Sequence, residues 1–270
     1  MNIDDNFSLN HIITPNLDIP NFFKLAKDLN IHNIEIRNDL KKINFNKLDT
    51  GLINEYLEEY KLNIISINAL QKFNLWNNDR KEELLSLCDF AKKIKCNGIV
   101  LVPLNTGEFI DKKSRRKILS NALKEISPIL SSFNINGYVE PLGFKSSSIR
   151  YKKEVVEELG LIEHSHKFSL VHDTFHHYLA KEEEIFTDYT GLVHISGVVD
   201  KSLKIEDIKD ESRELIDQCD ILDNIRQIKK LVDNGYKDFF SFEPFSRKIH
   251  ELNDPSELIR SSINYILSKL

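Results

Sequence analysis

FFSFEPF, residues 239–245, is a short apolar run that stops at a glutamate followed by a proline. Proline holds the preceding residue in extended geometry and lacks the backbone donor that a continuing strand needs, so Glu243 is expected at the last ordered position of a strand. Residues 137–141, GYVEP, repeat the pattern and place Glu140 in the same position of another strand. Both carboxylates are therefore expected to project from rigid backbone at strand ends.

Outward from these two segments, apolar runs of strand length alternate eight times with longer amphipathic stretches, without a Pro-, Gly- or Ser-rich linker. The predicted strands are residues 7–12, 33–37, 64–69, 98–102, 137–140, 168–173, 192–196 and 239–243. The clearest helical periodicity covers residues 80–94, 115–131, 221–234 and 256–269, with Gly235 in the position of a helix C-cap. Eight strand–helix units predict a single (β/α)8 TIM barrel over residues 1–270, because closure leaves no edge strand exposed.

The composition limits the classes of protein to consider. With 41% hydrophobic and 29% charged residues, the chain has the composition of a soluble globular protein. No run reaches the roughly 20 apolar residues that span a bilayer, and the N-terminus does not resemble a signal peptide, so a cytoplasmic location is expected. A net charge of −5 argues against a protein that neutralises nucleic-acid phosphates. Cys88, Cys96 and Cys219 are predicted to be reduced thiols.

Polar side chains at the carboxyl ends of barrel strands carry the functional information, because active sites of such barrels lie there. The last four predicted strands end at or near Glu140, Asp173, His194 and Glu243. Three carboxylates and one imidazole form a mainly oxygen site that suits Mn²⁺, Mg²⁺ or Co²⁺ and also accepts Zn²⁺. The sequence therefore predicts one divalent metal ion on these four residues.

Further candidate residues surround this set. His176 follows Asp173 by three positions and is predicted to contact substrate or to support the metal ligands. His172 alternates with Asp173, so it is expected to face the helical layer. Glu35 and Arg37 alternate on the second strand and should both face the barrel interior, where they form either an internal ion pair or a contact with substrate.

At these residues the chain resembles the xylose-isomerase-like TIM-barrel superfamily, and within it the inositol-catabolism branch that contains 2-keto-myo-inositol isomerase and related sugar isomerases and epimerases. The resemblance covers essentially the whole chain and is carried by the segments IEIRND, SINALQKFN, VEPLGF, HDTFHH, HISGVVD and FFSFEPFS. It implies metal ligation by Glu140, Asp173, His194 and Glu243, substrate binding by His176 of the DxxH motif, and proton transfer by Glu140 and Glu243 as catalytic residues.

The resemblance implies an isomerase or epimerase of a small polyhydroxy ketone, most closely 2-keto-myo-inositol, acting through a metal-stabilised enediolate. One departure concerns the substrate. Ketohexose epimerases of the superfamily carry a substrate-binding arginine six residues beyond the metal histidine, where this chain has Asp200. Arg213, further along the same loop, is the candidate for a comparable substrate-binding cation. A small molecule is the expected partner, without nucleic acid or membrane, and a homo-oligomer is compatible with the sequence.

Three alternatives stay open at this stage. A 2-keto-myo-inositol dehydratase would begin with the same proton abstraction and then expel a hydroxyl. An abasic-site endonuclease of the same superfamily would need further histidines for a three-metal cluster, whereas this chain has Asn68, Pro103 and the segment DESR, residues 210–213, at the corresponding places. A metal-dependent carbohydrate-binding module without turnover is the third, although both Glu-Pro carboxylates argue against it.

Overall fold

Residues 6–270 are described by the computed structural model, so residues 1–5 of the predicted domain lie outside the described range. Eight parallel strands close into a barrel in sequence order, with the first strand paired to the second and to the eighth. The strands are β1 (Phe7–Asn10), β2 (Asn33–Arg37), β3 (Asn63–Gln71), β4 (Gly98–Val102), β5 (Asn136–Val139), β6 (Phe168–Asp173), β7 (Thr190–Ile195) and β8 (Phe240–Phe242). The predicted (β/α)8 TIM barrel is thereby confirmed.

Helices follow the strands and surround the barrel. They are α1 (Ile19–Asp28), α2 (Thr50–Tyr60), α3 (Asn78–Lys93), α4 (Lys112–Phe133), α5 (Lys152–Leu159), α6 (Thr174–Ala180), α7 (Asn224–Asp233), α8 (Arg247–His250) and α9 (Ser256–Leu267). Within residues 6–270, none of them combines the length and the apolar character that crossing a lipid bilayer requires. The three cysteines are unpaired, as predicted.

The main core lies between the sheet and the helices. Along β2, Ile34 and Ile36 belong to this core, whereas Glu35 and Arg37 lie on the opposite face of the strand, inside the barrel. A smaller apolar cluster of Ile65, Ala69, Val100, Val171 and Leu192 lies on the inner face. Its members Val171 and Leu192 precede Asp173 and His194 by two positions, so an apolar layer supports the polar side chains at the carboxyl ends.

The strand and helix boundaries differ from the predicted ones at a few ends. The first strand stops at Asn10 instead of residue 12, because the Asn10 side chain accepts a hydrogen bond from Ile12 N (3.1 Å) and starts a 3₁₀ turn over His11–Ile13. Gly235 has a φ of +90° directly after α7, and its N–H donates to the carbonyl of Val232. This agrees with the predicted C-cap, since glycine adopts that backbone conformation without a steric penalty.

The long connection after β7 packs on a core of its own. Gly197 and Glu214 form an antiparallel bridge, and Val198, Ile208 and Leu222 pack against Phe175 and Leu179 of α6. This connection, residues 196–223, is called the β7–α7 connection below. Its packing fixes Arg213, which is almost completely buried (1% exposed).

Candidate metal centre

Four side chains meet at the carboxyl end of the barrel. Glu140, Asp173, His194 and Glu243 each offer one ligand atom, and these atoms all lie within 4.8 Å of one another. All four residues are buried. The structure therefore brings together the complete set of residues that the sequence singled out as candidate metal ligands.

The two glutamates continue the sheet for one residue before proline interrupts it. Glu140 N donates to Leu101 O of β4 (3.1 Å), and Glu243 N donates to Ile195 O of β7 (2.9 Å). Pro141 and Pro244 follow directly and cannot donate the next ladder bond. Each carboxylate is thus carried by backbone that neighbouring strands hold in place.

Asp173 is the last residue of β6 and also the N-cap of α6. Its Oδ1 accepts hydrogen bonds from the backbone N–H groups of Phe175 (2.7 Å) and His176 (3.0 Å). Its Oδ2 accepts from Arg213 Nη2 (2.7 Å). The carboxylate is therefore fixed in orientation by the helix and by the β7–α7 connection.

His194 lies between carboxylates on both sides of its ring. Nδ1 is 2.8 Å from Glu140 Oε1 and 3.3 Å from Glu243 Oε2, and Nε2 faces Glu35. Burial alone would lower the pKa of His194, but the negative charges of Glu243, Glu35 and Glu140 raise it well above the ordinary value. The centre thus strongly favours a positive charge at this position.

Two buried arginines hold Glu243. Arg37 Nη1 donates to Oε1 (2.9 Å) and Arg213 Nη2 donates to Oε2 (2.9 Å). Burial would raise the pKa of Glu243, but His194, Arg213 and Arg37 depress it far below its ordinary value. Glu140 has no arginine partner, and burial together with the nearby charge of Glu243 raises its pKa. The pKa values of the two glutamates are therefore shifted in opposite directions.

The buried charges of the centre match a divalent cation. Among the described residues it contains four buried carboxylates, those of Glu35, Glu140, Asp173 and Glu243, and two buried guanidiniums, those of Arg37 and Arg213. A histidine that ligates a metal is neutral, and with His194 neutral the excess is two negative charges. Oxygen ligands with one imidazole suit Mn²⁺, Mg²⁺, Co²⁺ or Zn²⁺, so the residues present fit the predicted ion.

A cavity of about 340 Å³ opens above the centre. Its wall includes the predicted substrate residues His176 and Arg213, the aromatic rings of Phe144 and Phe245, and the polar groups of Asn68, Gln71, Asn105 and Thr106. Asp200 is exposed on the β7–α7 connection, where its carboxylate accepts from Ser202, and it is not part of the wall. Arg213 is thus the arginine that this connection brings to the site.

Several contacts of the centre were not predicted. Glu35 and Arg37 do face the interior, but Arg37 pairs with Glu243 and Asp39, while Glu35 contacts His194. Arg213 directs Nε to Ser196 (2.9 Å) and Nη2 to two of the candidate ligands. The sequence offered no signal for these partners, because all of them except Asp39 join residues that are well separated along the chain.

His172 lies outside the barrel wall, as its alternation with Asp173 predicted. Its Nε2 is 3.0 Å from Gln227 Oε1, and its Nδ1 is 3.2 Å from the buried ammonium of Lys152. The same ammonium is 2.6 Å from His177 Nδ1. Burial lowers the pKa of Lys152 to about 8 and that of His177 to about 3. None of these three residues lines the cavity, so the network is separate from it.

Fold and site together define a closed TIM barrel with a candidate metal centre at the carboxyl ends of its last four strands. The chain belongs to the xylose isomerase-like TIM barrel family, whose model matches residues 23–269.

Solved structures agree with this membership. A xylose isomerase domain-containing protein from Salmonella typhimurium LT2 is 30% identical, with a TM-score of 0.87 and 97% of each chain covered. An IolI protein with a bound zinc atom is 21% identical, with a TM-score of 0.85 over 98% of this chain and 97% of the other. D-Allulose 3-epimerase from Methylomonas sp., solved with D-allulose, is 15% identical, with a TM-score of 0.73 over the same shares. No curated protein sequence matches the chain.

Proposed function

We propose that this protein is a divalent-metal-dependent isomerase or epimerase of a small polyhydroxy ketone, with 2-keto-myo-inositol as the first substrate to test. The observation that carries the proposal is the buried convergence of Glu140, Asp173, His194 and Glu243 under a polar cavity. A divalent ion bound there would polarise the substrate carbonyl and stabilise the negative charge that develops on its oxygen. The zinc atom in the similar IolI structure supports a metal at this centre.

The two glutamates are suited to different proton transfers. Glu140 Oε1 lies 2.8 Å from His194 Nδ1, whereas no described residue donates to Oε2, and Glu140 forms part of the cavity wall. We assign to Glu140 the removal of the proton next to the carbonyl. Glu243, held by two arginines, returns a proton from the other face or acts through a substrate hydroxyl.

The cavity favours a compact substrate with many hydroxyl groups. Amide and hydroxyl groups of Asn68, Gln71, Asn105 and Thr106 line one wall and can donate and accept hydrogen bonds. His176 lies between Phe144 and Phe175, with ring centroids 5.2 and 5.1 Å away, which fixes its ring at the cavity wall. We assign substrate binding to His176 and to Arg213, whose second task is to hold Asp173 and Glu243.

The geometry gives less support to a nuclease. Asn68 lies within β3, three residues before its end, and donates to Glu35, and Pro103, directly after β4, offers no ligand. Among residues 6–270, one group of side chains is arranged to hold a metal ion. A three-metal phosphodiesterase centre would need additional ligands at these positions.

The deciding experiment is proton exchange in deuterated water. The metal-free protein is loaded with Mn²⁺, Co²⁺ or Zn²⁺ and incubated with 2-keto-myo-inositol in D₂O, and deuterium uptake and products are followed by NMR. We expect deuterium next to the carbonyl and a carbonyl shift to the adjacent carbon, both lost on chelation. Glu140→Gln should slow exchange by about 10²- to 10⁴-fold, the usual contribution of a general base.

Glu158→Gln provides a matched control, because Glu158 is a buried glutamate of α5 that pairs with Arg116 away from the cavity. Its exchange rate should equal that of the wild type. Deuterium uptake together with loss of water would identify the dehydratase instead. Absence of both exchange and product with every metal would exclude 2-keto-myo-inositol as the substrate.

A further inference from the structure

Glu35 is the buried carboxylate next to the candidate ligands that is not itself one of them. It projects from β2 into the barrel and is completely buried. Its Oε1 is 3.2 Å and its Oε2 3.3 Å from Nε2 of His194. The other ring nitrogen, Nδ1, faces Glu140 and Glu243, where the metal ion would lie. The imidazole thus lies between Glu35 and the candidate metal position.

Side chains of the two neighbouring strands, β1 and β3, hold the Glu35 carboxylate in place. Asn10 Nδ2 of β1 donates to Oε1 (3.3 Å), and Asn68 Nδ2 of β3 donates to Oε2 (3.1 Å). The hydroxyl of Ser66 also donates to Oε2. Donors from both flanking strands leave the carboxylate little freedom to rotate, so it presents a fixed acceptor to the histidine.

This arrangement determines which nitrogen of His194 is available to a metal. Both ring nitrogens face carboxylates, which can only accept hydrogen bonds when ionised, so without a metal each nitrogen carries a hydrogen. A divalent ion among Glu140, Asp173 and Glu243 would displace the hydrogen on Nδ1, the nitrogen that faces them, while Nε2 would keep its hydrogen for Glu35. In a neutral imidazole the other nitrogen then has the free lone pair. A hydrogen on Nε2 therefore directs the lone pair of Nδ1 toward Glu140 and Glu243.

We propose that Glu35 is a positioning residue that fixes the tautomer and ring orientation of His194, so that Nδ1 ligates the divalent ion. The inference rests on the proposed metal centre. Carboxylates that accept from a ligating histidine raise its basicity, and their loss typically weakens metal affinity 10- to 100-fold. Glutamine at position 35 would offer one acceptor oxygen where the carboxylate has two, while the four donors around it remain.

The test measures metal binding and not turnover. Metal-stripped full-length protein is titrated with Co²⁺ and Zn²⁺ by calorimetry for the wild type, Glu35→Gln and the control Glu158→Gln, with melting curves as a check on folding. We expect an affinity about 10- to 100-fold lower for Glu35→Gln and an unchanged affinity for the control. Equal affinity in wild type and Glu35→Gln, or an equal loss in both variants, would overturn the role of Glu35.

A second measurement does not depend on Glu35→Gln and decides the question if that variant does not fold. Imidazole ¹⁵N shifts of the Zn²⁺-loaded wild type, with His194→Gln used only to assign the signal, should show hydrogen on Nε2 and metal on Nδ1. The opposite tautomer contradicts the inference. A wild type that binds neither metal would instead refute the proposed function, so the two failures are distinguishable.

Discussion

Asp173 combines two roles in one carboxylate, because it caps α6 with Oδ1 and faces Arg213 and the candidate ligands with Oδ2. Asparagine at this position can keep the cap through its carbonyl oxygen, but it removes the negative charge and places an amide donor against a guanidinium. We therefore expect Asp173→Asn to fold and to lose metal affinity by more than about 100-fold. This exceeds the 10- to 100-fold loss that is typical when a residue bonded only to a metal ligand is removed. Elemental analysis of dialysed protein and a melting curve check this.

Asp210→Asn is the matched control for this substitution. Asp210 also lines the cavity and lies 3.4 Å from Arg213 Nη1, but it does not belong to the group of candidate ligands. Its replacement should leave the metal content unchanged. If Asp173→Asn retained as much metal as Asp210→Asn, the choice of ligands would be wrong.

Residue types at strand ends were predictable, and their partners were not. Proline after Glu140 and after Glu243 identified both glutamates from the sequence, because proline restricts its neighbour locally. The Glu35–His194 contact joins β2 to β7 and depends on closure of the barrel. Local sequence rules contain no information on which of several interior polar side chains will meet.

At the scale of elements, the segment after β5 packs directly on α6. A Cβ atom on Gly143 would lie 2.1 Å from the carbonyl oxygen of His176 and 2.8 Å from Cβ of Leu179. Gly143→Ala must therefore push α6 away from β5, and with it His176. We expect a loss of about 1–3 kcal/mol in the free energy of unfolding, as for other overpacked positions, measured by urea denaturation.

Gly160→Ala tests the same change where there is room for a methyl group. Gly160 ends α5, and the nearest atom to its added Cβ would be the Glu157 carbonyl oxygen at 3.6 Å. This variant should be at least as stable as the wild type, since alanine lowers the entropy of the unfolded chain. Equal stability of the two variants would show that the close approach at Gly143 has no energetic consequence.

Element types were predictable from periodicity, and loop packing was not. The amphipathic stretches predicted α3, α4, α7 and α9 to within a few residues, because hydrophobic spacing reflects one buried face. The β7–α7 connection is polar and has no regular period, so its own small core and the burial of Arg213 could not be anticipated. The role of this connection became visible only in three dimensions.

For the whole molecule, buried neutral histidines make stability depend on pH. Burial lowers the pKa of His11 to about 4. Because the folded pKa lies below the ordinary value of 6.5, its contribution is present above pH 6.5 and is lost as pH falls toward 4. Between pH 7.5 and 5.5, the free energy of unfolding should fall by about 1 kcal/mol more in the wild type than in His11→Gln, as measured by urea denaturation.

His166→Gln is the control for this comparison, because His166 is exposed. It should show the pH dependence of the wild type. The pKa of His194 is shifted in the opposite direction, but His194 is present in all three proteins and cancels in the differences. The same pH slope in wild type and His11→Gln would contradict the assignment to His11.

The number of strand–helix units already predicted the closed barrel, since eight apolar runs with interleaved helices leave few other ways to protect the strand edges. The pH behaviour was less accessible from the sequence. Nothing near His11 in the sequence shows that its ring stacks on Phe22 at 4.2 Å inside the core. Burial of a titratable group depends on the complete packing of the chain.

Arg213 also anchors one side of the cavity above the centre. Its side chain is held inside the site, and its carbonyl oxygen accepts from Phe245 N (3.0 Å) and Ser246 N (2.8 Å), so the β7–α7 connection is joined to the segment after β8. Four residues of the cavity wall that follow β2, β3 or β4 are exposed, namely Asp39, Lys72, Asn105 and Thr106, and the side chain of Asp210 on the β7–α7 connection is 43% exposed. The cavity is therefore open mainly beside β2, β3 and β4, and shortening side chains there should admit bulkier compounds without disturbing the β7–α7 connection.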